Sequence, residues 1–252
     1  MSFCLGVGLF GSVYLMPVFL AFVRHRNALE IGTVMLVAGI EQLATAPLAV
    51  ALESRMDGSL LTAVGFAMFA VGLGLNSFET PDTDFNELFW PQLIRGAAIM
   101  FCLLPPTRLA LGGLSRSQVP DASGLFNMMR NLGGVIGIAL IDTILYGQTS
   151  IHADALRLRL VAGDATAAQA IGLDPELFAA RLAEPLDAAA EAFLRPMIEK
   201  AAFAASANEA WLLLACFALL AVLLVPFAWK RKPPGPGFDL PKGGQAASET
   251  PV

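Results

Sequence analysis

Six runs of mostly apolar residues, each about 20 long and thus able to cross about 30 Å of hydrocarbon at 1.5 Å per residue, fill most of this 252-residue chain. They extend over about Ser2–Val23, Ile31–Leu52, Ser59–Phe78, Leu88–Leu111, Gly124–Tyr146 and Asn208–Trp229. In lipid an unpaired backbone N–H or C=O costs several kcal/mol, so each run is predicted to be a helix. The predicted fold class is therefore an all-α membrane protein. A six-transmembrane-helix bundle occupies residues 1–232, with a long, partly helical outer loop over about 147–207 and a tail at 233–252. The tail is rich in Pro and Gly, from Pro233-Pro234-Gly235 to Gly243-Gly244, and is expected to be disordered.

Composition agrees and removes other classes. Apolar residues make up 56% of the chain and charged residues 15%, against about 25% charged in soluble domains. A net charge of −5 argues against a nucleic-acid partner, which would need a basic patch. Cys4, Cys102 and Cys216 lie far apart inside apolar runs, as small buried residues do, and His25 and His152 are the only histidines. The chain contains no G-x-x-x-x-G-K-[ST] loop, G-x-S-x-G elbow or H-E-x-x-H pair. Neither enzyme chemistry, a cofactor nor a metal is expected, and transport is the function class that remains.

Six alternating spans place both termini on one side with Arg55, Arg116, Lys230, Arg231, Lys232 and Lys242. The opposite short loops hold Arg24 and Arg26 against the acids between Glu79 and Glu87, so both termini are expected to face the cytoplasm. The first run has neither basic residues before it nor a small-residue cleavage site after it. It is read as a span rather than a signal peptide, and the missing charge suggests a chain that begins inside something larger. In the outer loop, Leu156 and Leu160, then Phe178, Leu182 and Leu186, recur at helical spacing, broken at Gly172-Leu173-Asp174-Pro175, Pro185 and Pro196. Short amphipathic helices on the outer face are predicted there.

Ionisable groups inside spans cost at least about 2.5 kcal/mol by insertion scales and are functional candidates. Glu41, followed by Gln42, sits mid-span, about 15 Å from either face. It reads either as a reversible proton carrier or as a carboxylate paired to an arginine for packing. Asn127, Arg130, Gly134 and Gly137 share one helical stripe. Glycines there, with Gly133, let a neighbouring helix approach, and Arg130 either pairs with Glu41 or snorkels to the cytoplasmic interface. Arg95 lies one turn from Gln92, and Asp142 is a possible counter-charge for it, chiefly in a structural role. Arg108 is expected to snorkel without a function. Gly6, Gly8, Gly11, Gly65, Gly72 and Gly74 are read as helix-packing sites.

Several of these residues carry a resemblance. Arg130-Asn131-Leu132-Gly133-Gly134-Val135-Ile136-Gly137 resembles the Arg-x-Leu-Gly-Gly-x-Ile-Gly stretch of the EmrB/QacA-type branch of the major facilitator superfamily, the fourteen-helix drug:proton antiporters. Trp90-Pro91-Gln92-Leu93-Ile94-Arg95-Gly96 and Ser206-Ala207-Asn208-Glu209-Ala210-Trp211 are similar to the runs that open two of its C-terminal helices. The resemblance covers the C-terminal six-helix half, with the N-terminal half missing. It implies proton-coupled efflux of hydrophobic or amphipathic compounds across a bacterial inner membrane by alternating access, energised by the proton gradient. Glu41, Gln42, Gln92, Arg95, Asn127 and Arg130 would line one cavity wall, and a periplasmic membrane-fusion adaptor would meet the outer loop. The alternative is a non-transporting scaffold or assembly subunit that binds a periplasmic partner through that loop.

Overall fold

The computed structural model describes residues 1–112, 114–174 and 188–229. Its helices are α1 (Ser2–Phe22), α2 (Ala28–Glu53), α3 (Gly58–Leu75, extended by a 3-10 turn at Asn76–Phe78), α4 (Phe85–Leu111), α5 (Val119–Val161), α6 (Ala165–Ala170) and α7 (Ala188–Trp229). All but α6 are long and apolar enough to cross a membrane. Polar caps fix where they begin. Asn27 and Glu30 form a capping box at α2, Asp84 and Glu87 form another at α4, and Asp57 accepts from the Ser59 N–H at α3. Each cap satisfies backbone donors that the first helical turn leaves open.

Two groups of three helices make the bundle. α1 lies along α5 and α7, while α4 lies between α2 and α3, and the groups join where α3 meets α7. One apolar core runs through both, including Phe19, Phe66, Phe69, Trp211 and Leu214. At one end, here the hairpin end, the α1–α2 and α3–α4 loops are stitched together. Arg24 reaches Asp84 at 3.2 Å and the Pro81 carbonyl at 3.2 Å, and Arg26 also pairs with Asp84. At the other end Arg108, expected only to snorkel, pairs with Glu53 at 3.3 Å.

The outer loop departs from expectation. In place of separate short helices lying flat, α5 continues without a break from its span to Val161, and α7 is helical from Ala188 into its own span. A single helical glycine, Gly147, costs only about 1 kcal/mol relative to Ala, and the residues after it include good helix formers. Pro196, an expected break, lies within α7. α5 stops at Gly163, whose φ of +81° suits a helix C-terminus, and the predicted break at Gly172 is present just after α6, with φ +80°. These extensions and α6 bury a small core of their own, with Leu160, Ile171 and Leu194 at its centre. Pro175, Phe178, Leu182, Pro185 and Leu186, and the tail at 233–252, lie outside the described residues.

Candidate functional site

The polar residues inside the spans fall into three sets, and helix packing decides which. Glu41 projects from α2 beside α4, and the Thr45 hydroxyl one turn later donates to its Oε1 at 3.0 Å. α2 comes this close because Gly96 of α4 has no side chain, and a Cβ there would stand 2.6 Å from the Ala38 carbonyl oxygen and 3.0 Å from the Glu41 Cβ. Glu41 and Gln42 are half-buried.

The second set is on α5. Arg130 donates to Asn127 Oδ1 at 2.6 Å, its neighbour on the same stripe. The glycines that follow press against α1: a Cβ on Gly133 would lie 2.2 Å from the Phe3 carbonyl oxygen, and on Gly137 3.0 Å from the Val7 Cα. Gly134 accommodates the ring of Phe10. Glu41 and Arg130 are not brought together, because α2 packs on α4 whereas α5 packs on α1 and α7. The same division separates Arg95 from Asp142. Asp142 accepts from the Tyr14 hydroxyl of α1 at 2.6 Å, and Arg95 donates to Gln92 on its own helix.

Arg95 and Gln92 belong to a third set, buried inside the bundle rather than on an open wall. Arg95 sits where Gly72 of α3 admits its backbone; a Cβ on Gly72 would be 3.0 Å from the Arg95 nitrogen. In the loop that follows α3, Glu79 lies close enough for the Arg95 charge to act on it; the sequence presents it only as the first acid of a polar turn. Glu79 is buried, and its Oε2 accepts the Trp211 indole N–H at 3.0 Å. Its backbone N–H donates to Asn208 Oδ1 at 3.0 Å, and its carbonyl accepts from Asn208 Nδ2 at 2.8 Å. Burial pushes the Glu79 carboxyl up to about 8, against the Trp211 N–H and the Arg95 charge, which favour the ionised form. Sequence reasoning missed Glu79, Asn208 and Trp211 as a unit. A usable signal exists: Asn208 and Trp211, three residues apart, present two hydrogen-bonding side chains on one face where a span begins.

In this fold, ionisable and amide side chains sit within a six-helix membrane bundle, the class from which transporters are built. The comparisons narrow it. The chain is similar to the colistin resistance protein EmrB of Acinetobacter baumannii, 40% identical over 151 residues, which is 60% of this chain and 30% of that protein. It is similar to the multidrug export protein EmrB of Escherichia coli, 30% identical over 144 residues, 57% of this chain and 28% of that one. With the fatty acid resistance protein FarB of Neisseria gonorrhoeae it shares 24% identity over 226 residues, 89% of this chain and 42% of FarB. The chain thus spans less than half the length of these relatives. No protein-family model matches it. The resemblance to EmrB/QacA-type transporters of the major facilitator superfamily rests on these relatives together with the motifs in α4, α5 and α7.

Proposed function

We propose that this chain forms one bundle of a proton-coupled exporter that moves hydrophobic or amphipathic compounds across a bacterial cytoplasmic membrane by alternating access. A second, N-terminal bundle supplies the opposite wall of the cavity. The observation that carries this reading is the 40% identity to a protein named for colistin resistance. The fold supports it in a further way. α2 and α5 are the least enclosed spans, 22% and 28% buried against 61% for α1. These two helices carry Glu41, Gln42, Asn127 and Arg130 together with exposed Leu43, Met128 and Val135. A face with both polar groups and adaptable apolar side chains suits a cavity for drug-like guests.

In this reading the termini face the cytoplasm and the hairpin end faces outward, where the α5–α7 extension meets an adaptor. The experiment pairs the chain with the N-terminal bundle of an EmrB relative in everted membrane vesicles and follows uptake of ethidium. Uptake driven by an imposed proton gradient, and abolished when that gradient is collapsed, is expected. Uptake by the paired bundles that ignores the gradient, or no uptake at all, overturns the proposal.

A further inference from the structure

Glu79 joins two features of the hairpin end that the efflux reading leaves unused. It lines a cavity of about 540 Å³ bounded by the α3–α4 loop and the extensions of α5, α6 and α7. Its side chain also belongs to a buried cluster in which several polar atoms have no hydrogen-bond partner among the described residues. These are Oε1 of Glu79, Oδ1 of Asn76, Nε2 of Gln92, and Nε and Nη1 of Arg95. All four residues are at most 5% exposed. Leaving one buried polar atom unmet costs about 1–3 kcal/mol, so a set of five is expensive for a core whose only task is packing. If Glu79 served only to anchor Trp211, one acceptor oxygen would suffice. The second oxygen, without a hydrogen-bond partner among the described residues and close enough to Arg95 for its charge to be felt, leaves the carboxyl free to take up a proton.

We propose that Glu79 is the group through which protons enter the bundle from the hairpin side, exchanging a proton at Oε1 with solvent in the cavity while Arg95 balances its ionised form. Protonation forms an O–H bond at Oε1 with a proton from solvent hydronium and removes the negative charge; deprotonation returns the proton and restores the carboxylate. The charged and titratable groups around it set the balance. Arg95 of α4 and the Trp211 N–H of α7 favour the ionised form, while Arg159 of α5, paired with Asp164, and Asp82 of its own loop, paired with Arg24, also line the cavity. His152 of α5 is held by Glu209 of α7 at 2.9 Å, and α6 contributes the uncharged Gln169 and Ala170 to the cavity. Burial opposes ionisation and holds the Glu79 carboxyl up at about 8, within reach of the pH at which a carrier both loads and unloads. The inference rests on the proton-coupled reading given above.

Trp211 reports the event, because its N–H binds the titrating carboxyl. The full chain in lipid nanodiscs, with Trp90→Phe and Trp229→Phe so that Trp211 is the sole indole, is titrated while its emission is recorded. A single transition with a midpoint near pH 8 is expected, absent in Glu79→Gln. In Arg95→Gln the midpoint moves up by about one pH unit, since an opposite charge is lost; a purely structural arginine would not move it. Emission without a transition, or a transition that survives Glu79→Gln, overturns the assignment. Should Glu79→Gln not fold, the infrared carbonyl band of a protonated carboxyl in the otherwise unaltered chain decides. Its rise as pH falls through the same midpoint supports Glu79, and its absence overturns it. The titration needs no transport, so a transition that persists in a protein whose export ignores the gradient counts against the export reading alone.

Discussion

Gly6 of α1 stands so close to Arg130 of α5 that a Cβ on it would sit 1.9 Å from the Arg130 carbonyl oxygen. Gly133 answers from α5, with a Cβ 2.2 Å from the Phe3 carbonyl oxygen. The obstacle in each case is backbone, which cannot step aside as a side-chain end can. Gly6→Ala and Gly133→Ala are therefore expected to destabilise the bundle by about 3 kcal/mol, the upper part of the range for overpacking. Gly32→Ala, with nothing within 4 Å of its Cβ, is the control and should be neutral or stabilising by about 0.5–1 kcal/mol. Unfolding in mixed detergent micelles compares the three.

Glu41 accepts only the Thr45 hydroxyl among its described contacts, and a glutamine oxygen can do the same. Glu41→Gln should thus change stability by less than about 0.5 kcal/mol while abolishing gradient-driven ethidium uptake in the paired-bundle assay. Uptake at the unsubstituted level would remove Glu41 from the proton path.

Asp84 caps α4 and holds Arg24 and Arg26 across the loop junction. Burial opposes its ionisation, but the Phe85 N–H and the two arginines prevail and hold its carboxyl below the usual range. A depressed folded value means that the stabilisation is present above about pH 4, the ordinary carboxylate value, and fades as pH falls through the folded one. Asp84→Asn keeps the cap and loses the charge. The expected loss is about 1 kcal/mol or less per exposed pair, and it should shrink in about 1 M salt, where screening is short-ranged. Thermal melts at two salt concentrations measure it.

The small core beyond the membrane is separable from the large one. Leu160 is 1% exposed at its centre, and Leu160→Ala should cost this region about 2–5 kcal/mol. Limited proteolysis is expected to cut faster within residues 147–207 while the spanning helices keep their protection. Equal cleavage rates would show that the hairpin core contributes little.

The spans were readable because nothing but a helix satisfies 20 apolar residues in lipid, and the packing glycines because small residues at stripe spacing have few other uses there. The tertiary pairings were not. Depth along a span could bring Glu41 and Arg130 to similar heights, but it carries no information on which helix neighbours which, and α4 and α1 take those two faces instead. Glu79 escaped for a related reason. An acid one residue past a span reads as solvated, and only the fold, by setting Trp211 and Asn208 over it, makes it interior. The length of α5 was hidden by chemistry: the run after Gly147, with Ala153, Ala155, Leu156, Arg157, Leu158 and Arg159, is made of residues that suit a helix in water and so gives no sign that it continues the span.

That length has a mechanical meaning. α5, at 43 residues, is about 65 Å long, and the part beyond Tyr146 is about 22 Å of it by the same rise. A rigid rod tipped by about 10° inside the bilayer would swing its far end by about 4 Å, a displacement scale familiar from helix shifts in switching proteins. Because the extension of α7 shares a core with that of α5, any tilt of these two rods within the bilayer would act as leverage on the aqueous side.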